Sequence, residues 1–532
     1  MAIVMAAVFG TAFAQEHPDF LFEHSMPEFG LNYKDYYVYS TLETDDGGCL
    51  LAVCSGEAES WFLDGFEYDN IPPMVFRVSP LGEMEGQLTL MEDAPAVIDM
   101  LFEAPDDPNC VLAVGKTRDL EQEYDKIFVA RFDQWLNLQW LREVELPDEY
   151  KKLTYKARTF MDSTGDIVYC VVPFVAEPNG GIPPIGVYHR LYLRISPSGE
   201  LEAIGEYPET CDLLFGAQGE MFEFQDGSGD YGHIVEEYEE EGNNDDMPYL
   251  IRTDRDFTAF ARTSLPTTIS LPIENDFIVY YRAAAQAFPN NTIIIAAEDG
   301  YGWWDANYNY GWGFAIAVMK YDSDGNLLGM THTASEGDVN YDEESQRELA
   351  CNKAMDVCED HLYFCYGVYD RYFGSTGLTC PNGFVVVKTD MDANIVWQRY
   401  YHDGRLIQPF TMQATSDGSC LVAGRNYGLD YVDPKIFAVK IFPDGTLANP
   451  ELEAFVRPYA YWPNPAQDEL HLQYSPDVTP TQIELYNLQG KLVKTQRNGL
   501  ESLNMEGLSA GTYTMRVTME DGKVFSDKVV KE

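Results

Sequence analysis

The sequence has 532 residues, of which 45% are hydrophobic and 14% aromatic, so the chain can bury a large core. Its 35 basic and 87 acidic residues give a formal net charge of −52. A surface of that sign repels phosphate backbones and anionic lipid headgroups, which argues against nucleic-acid binding and electrostatic docking on a membrane. The charge indicates solubility outside the cell, with recruitment of Ca²⁺ or basic partners as the alternative.

The first residues predict a signal peptide over 1–14. Residues 2–10 are apolar, and Ala12-Phe13-Ala14 supplies small residues at a cleavage site before Gln15. No Lys or Arg precedes the apolar core, which departs from the usual pattern. No later stretch approaches about 18 uncharged apolar residues, and we therefore predict no transmembrane segment.

The 10 cysteines are too sparse for a disulfide scaffold. Three of them directly follow a turn at the start of an apolar strand and are predicted core positions: Cys49, Cys110 and Cys420. Four others lie closer together, at spacings that match no zinc pattern but leave a disulfide open: Cys351, Cys358, Cys365 and Cys380.

A motif made of a turn and an apolar strand recurs along most of the chain. Residues 46–53 read Asp-Gly-Gly-Cys-Leu-Leu-Ala-Val, and residues 417–424 read Asp-Gly-Ser-Cys-Leu-Val-Ala-Gly. Weaker copies begin at Asp107, Thr164, Asn290 and Glu359. Because Gly accepts the positive φ of such a turn and Asp bonds to the local backbone, the motif predicts a β-hairpin.

A second motif, a strand, a tight turn and another strand, alternates with the first. Its clearest copy covers residues 384–397 and ends in Asp-Met-Asp-Ala-Asn-Ile-Val-Trp. Related copies begin at Phe76, Phe128, Leu193, Ile316 and Phe437, with a degenerate one at Leu250. The pattern resembles bacterial propeller repeats whose units end in an Asp-x-x-Gly-Asn-x-x-Trp turn.

The two motifs together give about four strands per unit. Six intervals separate Asp46 from Asp417, so one unit spans roughly 62 residues. Four-stranded sheets at this spacing predict an all-β fold, a β-propeller over residues 20–450 with seven blades, or with six or eight as alternatives. The last unit lacks an outer strand. Residues 20–24 are expected to supply it and so to fasten the last blade to the first.

Past residue 450 apolar and polar residues alternate, as in residues 470–474, and this pattern predicts a small antiparallel β-sandwich over 455–532. Its motif residues are Pro463, Asn464 and Pro465 at the opening, Gly490 and Lys491 at a hairpin turn, and Gly511 and Tyr513 in a later strand. These residues resemble the type A C-terminal sorting domain of the type IX secretion system, with an ordinary accessory sandwich as the alternative.

The resemblance implies an exported protein of a Gram-negative bacterium. Proteins with such a tail cross the inner membrane by a signal peptide, and the type IX secretion machinery, the expected partner, then carries them across the outer membrane. The tail is usually removed, and the mature protein is attached to surface lipopolysaccharide or released. We therefore expect a secreted protein or one attached to the outer membrane at the cell surface.

Residues 301–312 form the most unusual segment of the repeat region. They interrupt a unit between its two middle strands, which predicts an inserted loop. Exposed Trp and Tyr beside Asn and Asp can stack on sugar rings or aromatic peptides and bond to their polar groups. The candidate ligand-binding residues are Trp303, Trp304, Tyr308, Tyr310 and Trp312. The alternative is a loop that folds its aromatic residues back onto the blade.

No catalytic residue, metal site or cofactor is predicted. Residues 322–326 and 390–394 imitate the start of a calcium-binding loop. Thr333 and Tyr401 stand where such a loop needs an acidic residue, so both segments are predicted to be hairpin turns. The acidic stretch 236–246 predicts a solvated loop.

Three functions stay open on the sequence alone. The first is a monomeric, non-catalytic binding protein whose propeller rim binds a glycan, a peptide or a host protein. The second is a propeller-type glycan hydrolase, because the abundant carboxylates offer acid–base pairs without specificity. The third is a structural or adhesive component of the cell envelope.

Overall fold

The computed structural model describes residues 22–25, 36–55, 72–92, 94, 96–119, 124–150, 153–173, 188–211, 219–237, 247–265, 276–289, 291–304, 310–333, 345–349, 353–358, 361–370, 383–401, 406–427, 435–447, 459–462, 466–467, 469–474, 479–487, 491–519 and 524–531. The chain divides into two compact units, Met1–Ala448 and Asn449–Glu532. No helix in these described ranges is long and apolar enough to cross a membrane.

The first unit is a β-propeller built from antiparallel sheets. The first sheet consists of β2 (Tyr36–Glu43), β3 (Cys49–Ser55), β4 (Met74–Val78) and β5 (Met84–Thr89), and the second consists of β6 (Ala96–Ala104), β7 (Asp107–Asp119), β8 (Tyr124–Asp133) and β9 (Leu138–Val144). The third sheet consists of β10 (Leu153–Met161), β11 (Ile167–Pro173), β12 (Tyr188–Ile195) and β13 (Leu201–Cys211). The fourth sheet consists of β14 (Met221–Glu223), β15 (Tyr231–Glu237), β16 (Met247–Thr253) and β17 (Phe260–Ser264). A 3-10 turn, Asp148–Tyr150, follows the second sheet.

Three further sheets complete the described part of this unit. They consist of β18 (Asp276–Ala287), β19 (Thr292–Trp304), β20 (Tyr310–Asp322) and β21 (Leu327–His332); β22 (Ser345–Leu349) and β23 (Met355–Cys358), which both pair with β24 (His361–Asp370), then β25 (Gly383–Asp390) and β26 (Ile395–Tyr401); β27 (Leu406–Ala414), β28 (Cys420–Tyr427), β29 (Lys435–Ile441) and β1 (Phe22–Ser25). We call the seven described sheets blades 1 to 7; the blade number of the whole chain stays a prediction.

The blades pack face to face around an axis. The first strand of each blade contacts the first strand of the next, and β27 of blade 7 contacts β2 of blade 1. The middle strands are buried because both of their faces lie between neighbouring blades, which explains their continuous apolar runs. Val111, Leu112, Val129 and Ala130 of blade 2, for example, are all fully buried. The predicted propeller is confirmed.

The N-terminal strand closes the ring. Strand β1 pairs antiparallel with β29, with Phe22 opposite Ala438 and Ser25 opposite Lys435. The Glu23 carboxylate accepts a hydrogen bond from the Asn426 side chain at 2.8 Å. The predicted outer strand of the last blade is therefore confirmed for residues 22–24, whereas Phe20 and Leu21 lie outside the described residues.

Two turns of each blade lie at the same end of its strands, because the strands are antiparallel. The turn between the first and second strands is typified by Asp46, whose carboxylate accepts hydrogen bonds from the Thr44 hydroxyl at 2.6 Å and from the Gly48 N–H at 3.1 Å. Gly47 has a φ of 83°, a conformation that favours glycine. We call the turn that directly follows the third strand the outer turn. The end of the blades with these two turns is the turn face, and the opposite end is the loop face.

Basic residues of the third strands link neighbouring blades at the turn face. Each donates to a group in the outer turn of the following blade: Arg77 to the Gln134 carbonyl at 3.1 Å, Arg194 to the Arg255 carbonyl at 3.2 Å, Lys320 to the Asp392 carboxylate at 2.5 Å and Lys388 to the Pro443 carbonyl at 3.3 Å. In blades 1, 3, 5 and 6 a basic residue of the third strand therefore connects one blade to the next, whereas Arg131 of blade 2 and Arg252 of blade 4 bind Asp106 and Asp230 of their own blades.

The second unit is a β-sandwich. One sheet contains β30 (Tyr459–Trp462), β31 (Glu469–Tyr474) and β34 (Ser502–Asn504), and the other contains β33 (Leu492–Gln496), β32 (Pro480–Asn487), β35 (Gly511–Met519) and β36 (Val524–Lys531). Leu470 and Leu503 of the first sheet pack in one buried core with Ile483, Met515 and Val529 of the second. This core does not depend on residues of the propeller.

Candidate functional site

The aromatic segment of blade 5 is a paired β-ribbon. Strand β18 pairs with β19 as far as Tyr301, and β21 pairs with β20 as far as Ala317. Beyond these limits, among the residues that the structure describes, β19 and β20 pair with each other, and their last described pair is Trp304 with Tyr310. Because the segment connects a second strand to a third, it lies at the loop face of the propeller. Three residue pairs at about 3.4 Å per residue extend the ribbon by roughly 10 Å.

The register places the candidate residues on the two faces of this ribbon. Trp304 pairs with Tyr310, and Trp312 pairs with Gly302, so Trp304, Tyr310 and Trp312 share one face. Trp303 pairs with Gly311 and belongs to the other face. Tyr308 lies outside the described residues. The structure thus brings three of the five predicted residues to a common face.

The predicted inserted loop is wrong for residues 301–304 and 310–312. These residues form a continuous ladder with the blade. A ladder satisfies the backbone N–H and C=O groups internally, which a loop of the same length does not achieve. Alternation of Gly and aromatic residues at period two is compatible with a strand, although Gly is usually depleted there.

A second candidate site lies among the inner strands of blades 3, 4 and 6. It consists of Arg158 on β10, Glu220 directly before β14, and Lys353 and Asp356 at β23; we call it the inner-strand cluster. Arg158 Nε donates to the Gly219 carbonyl at 2.8 Å, and Lys353 Nζ lies 3.1 Å from Asp356 Oδ2. The sequence did not reveal this cluster, because its residues come from three repeats and share no motif.

Glu220 is the unusual acid of this cluster. Burial raises the pKa of its carboxyl to about 7. The positive charges of Arg158 and Lys353 oppose the shift, and the negative charge of Asp356 adds to it. A carboxyl group with this pKa is partly protonated at neutral pH, so it can either donate or accept a proton.

Other buried polar groups connect blades. Lys116 Nζ lies 3.0 Å from Asp99 Oδ1, and the Tyr169 hydroxyl of blade 3 donates to the other oxygen of Asp99. Between blades 3 and 4, the Tyr231 hydroxyl donates to Asp162 Oδ2 at 2.7 Å. These groups are enclosed between sheets, so their contacts stabilise the ring.

The two segments that imitate calcium-binding loops are hairpin turns. Asp322 Oδ1 accepts from the Asn326 N–H at 2.8 Å, and Asp390 Oδ1 accepts from the Asn394 N–H at 2.9 Å. Their carboxylates therefore bind the turn itself. Within the part of the chain that the structure describes, no group of His, Cys, Asp and Glu could hold a metal ion. Most of the acidic stretch 236–246 lies outside this part.

The cysteines predicted in the core are buried. Cys49 and Cys420 are fully buried and Cys110 is 3% exposed, and burial raises the pKa of the Cys49 thiol to about 12. Cys358 and Cys365 carry thiols. Cys351 and Cys380 lie outside the described residues, so the disulfide left open by the sequence stays a prediction.

In the second unit the described motif residues lie at a hairpin turn and in strand β35. Lys491 N–H donates to Asn487 Oδ1 at 3.0 Å and closes the hairpin after β32. Gly511 has a φ of 150°, and the hydroxyl of the buried Tyr513 donates to the Ser509 carbonyl at 2.7 Å. Pro463, Asn464, Pro465 and Gly490 lie outside the described residues.

Residues 460–532 match the family described as "Secretion system C-terminal sorting domain". These residues are a type IX sorting domain. A chain that ends in this sorting domain is exported, and the protein is secreted or displayed at the surface of a Gram-negative bacterium. The sorting domain also implies that the type IX machinery handles the chain. A comparison with curated proteins found no match to the sequence.

Several solved structures match the chain at low similarity. A protein of unknown function from Dyadobacter fermentans is 9% identical, with a TM-score of 0.38, and the match covers 64% of this chain and 92% of that one. The β-propeller domain of the Trilobed protease from Pyrococcus furiosus is 10% identical, with a TM-score of 0.40 and coverages of 77% and 94%. The α-L-arabinofuranosidase of Fusarium graminearum is 10% identical, with a TM-score of 0.33 and the same coverages. TM-scores below 0.5 carry no conclusion about shared activity.

Proposed function

We propose that the protein is a non-catalytic binding protein that acts outside the cell, and that the ribbon of blade 5 contacts its ligand. The observation that supports this proposal is the extension of β19 and β20 beyond the described residues of their neighbouring strands. It carries Trp304, Tyr310 and Trp312 on one face of a backbone fixed by the ladder. Aromatic residues on a rigid strand bind with little loss of conformational entropy.

The ligand class is a glycan, a peptide or a host protein. Aromatic rings offer apolar faces to the C–H surfaces of sugars and to aromatic or aliphatic peptide side chains. The net charge of −52 disfavours strongly anionic glycans. Among the three classes we give priority to neutral glycans.

The experiment is a glycan and peptide array probed with the full chain and with Trp303→Ala and Trp312→Ala. Because the register places these residues on opposite faces of the ribbon, only the face that binds should respond. Loss of one stacked aromatic ring weakens binding by about tenfold or more. Trp397→Ala is the control, since its indole N–H bonds to the Pro443 carbonyl at the turn face. Equal binding by all four proteins would contradict the proposal.

A second candidate function is hydrolysis of a glycan at the inner-strand cluster. Glu220 has the raised pKa that a general acid needs, and Asp356 supplies a second carboxylate among the inner strands. Turnover of a panel of chromogenic glycosides that is lost in Glu220→Gln would establish this function. Absence of turnover across the panel, with folding intact, would remove it. The third candidate, a structural or adhesive envelope component, predicts binding to whole cells without a soluble ligand.

A further inference from the structure

The exposed large apolar side chains of the described propeller residues share one structural position. Each lies in an outer turn or within the first two residues of the fourth strand that follows it: Leu81, Met84, Trp135, Leu138, Leu328, Val396 and Phe442. Exposed single apolar residues are common on proteins. Their restriction to one recurring position at one end of the propeller is the feature that requires an explanation.

These residues belong to five consecutive blades of the ring: 5, 6, 7, 1 and 2. Hydrogen bonds at the turn face link each of these blades to the next one around the ring. Lys320 of blade 5 binds the outer turn of blade 6, Lys388 of blade 6 binds that of blade 7, and Arg77 of blade 1 binds that of blade 2. Between blades 7 and 1 the contact is made by residues outside the outer turns: the Ser416 N–H, in the turn after β27, donates to the Glu43 carboxylate of β2 at 2.7 Å. We call this row of residues the apolar arc.

The fold does not require apolar residues at these positions. Residues 79–83 and 196–200 form the same turn, closed by Gly82 N–H to the Ser79 carbonyl and by Gly199 N–H to the Ser196 carbonyl, both at 2.9 Å. At the third position of this turn, which is exposed in both blades, blade 1 has Leu81 and blade 3 has Ser198. Because Ser198 occupies the same position in an identical turn, the apolar side chain of Leu81 is not needed to form it. Turns usually carry polar residues.

Trp135 has the largest side chain of the apolar arc, and contacts with Asp133 and Arg77 hold it in place. Its backbone N–H donates to Asp133 Oδ1 at 2.9 Å, and the Arg77 guanidinium lies 4.0 Å from the centre of its ring. The side chain is nevertheless 65% exposed. At the equivalent turn position blade 4 has Asp256. An oriented, exposed Trp in an apolar row is typical of interaction surfaces.

Carboxylates accompany the apolar arc. Glu83, Asp324, Asp392 and Asp444 are exposed in the same outer turns, and the whole chain carries a net charge of −52. A second copy of this chain or another acidic surface would be repelled. The complementary partner has apolar residues to cover the arc and basic residues between them to face the carboxylates.

We propose that the apolar arc is a docking surface for a cationic, amphipathic polypeptide segment. It lies at the turn face, at the opposite end of the blades from the ribbon of blade 5, so it is independent of the ligand site proposed above. Apolar contact supplies the affinity at the arc, and the carboxylates raise the association rate and exclude anionic partners.

The test compares two peptides of equal charge on the full chain. One alternates Lys and Leu, and in the other Ser replaces every Leu. Titration calorimetry should show the Lys–Leu peptide binding about tenfold tighter or more. The double variant Leu81→Ser, Trp135→Ser should remove most of that difference and leave binding of the Lys–Ser peptide unchanged. Leu492→Ser is the matched control, because Leu492 is 44% exposed but belongs to the sorting domain.

Three outcomes would overturn the proposal. Equal affinity for both peptides would mean that the charge of the chain alone attracts them. An equal loss in the arc variant and in Leu492→Ser would mean that the apolar contact is not specific to the arc. Binding of a neutral oligosaccharide that is lost in Trp135→Ser, without any preference between the peptides, would assign the arc to a glycan instead. Ser198 shows that the turn tolerates Ser, so misfolding does not confound the variant.

Discussion

Lys116 and Asp99 form an ion pair within blade 2 that is buried against blade 3. Both side chains are buried, and Tyr169 of the next blade supplies a third partner. A buried ion pair contributes little net stability compared with apolar residues of the same volume, but removal of one member leaves an uncompensated charge. A variant that removes only one member of the pair should therefore have a lower free energy of unfolding.

We expect Lys116→Met to lower the free energy of unfolding by about 3–5 kcal/mol, because Asp99 stays buried without its cation. Lys126→Met on the same sheet is the control. Its partner Glu143 lies 2.7 Å away at the surface, with both side chains more than a third exposed, so we expect a change below about 1 kcal/mol. Urea unfolding followed by circular dichroism measures both values. Similar losses in the two variants would contradict this account.

Glu220 makes the stability of the propeller depend on pH. Its folded pKa of about 7 exceeds the value of an exposed Glu, so the native state binds the proton more tightly than the unfolded state. Stability therefore falls as pH rises through the interval from about 4.5 to 7 and is lowest above it. The penalty of the ionised carboxylate is absent at low pH.

Glu220→Gln should remove this pH dependence. Relative to the variant, the wild type should lose on the order of 1–3 kcal/mol of unfolding free energy between pH 5 and pH 8. Thermal unfolding of both proteins at several pH values measures the difference. Parallel stability curves across this range would show that Glu220 does not titrate there.

At the scale of strands and turns, most of the propeller follows from local chemistry. Asp46 and Gly47 close a tight turn through a carboxylate and a positive φ, and apolar runs beside such turns have few alternatives to paired strands. The prediction of an inserted loop in blade 5 is wrong because Gly302 and Gly311 are typical loop residues, and their pairing partners in the strands are not evident from the sequence. The partners of Glu220 could not be predicted, because they depend on which blades become neighbours when the ring closes.

Strand β1 is the element that closes this ring, and its contribution can be measured. Phe22 is 4% exposed and packs in one core with residues of blades 1 and 7. We expect Phe22→Ala to cost about 3–5 kcal/mol through a cavity at the junction, whereas Ser25→Ala at the exposed end of β1 should cost less than about 0.5 kcal/mol.

Hydrogen exchange locates the same effect. In Phe22→Ala the amides of β29 should exchange faster, because their outer partner frays. The amides of β12, the third strand of blade 3, should be unchanged, since its outer partner β13 is intact. Faster exchange at both strands would mean that the variant loosens the whole propeller rather than its closure.

At the scale of the whole molecule, the chain separates the propeller from the export signal. The propeller unit and the sorting domain are distinct compact units with separate hydrophobic cores. This separation allows the export signal to be tested without loss of the folded propeller.

Deletion of residues 455–532 should leave the propeller in the periplasm, because the signal for outer-membrane passage is lost and the predicted signal peptide over 1–14 remains. Protease treatment of intact cells measures this: the full chain should be cleaved or found in the medium, and the truncated chain should be protected until the outer membrane is opened. Circular dichroism of the purified truncated chain should show the β-sheet signal and unfolding transition of the propeller, which excludes misfolding as the cause of retention. Fusion of residues 455–532 to an unrelated periplasmic protein should export it. Surface display of the truncated chain would mean that the propeller carries its own route across the outer membrane.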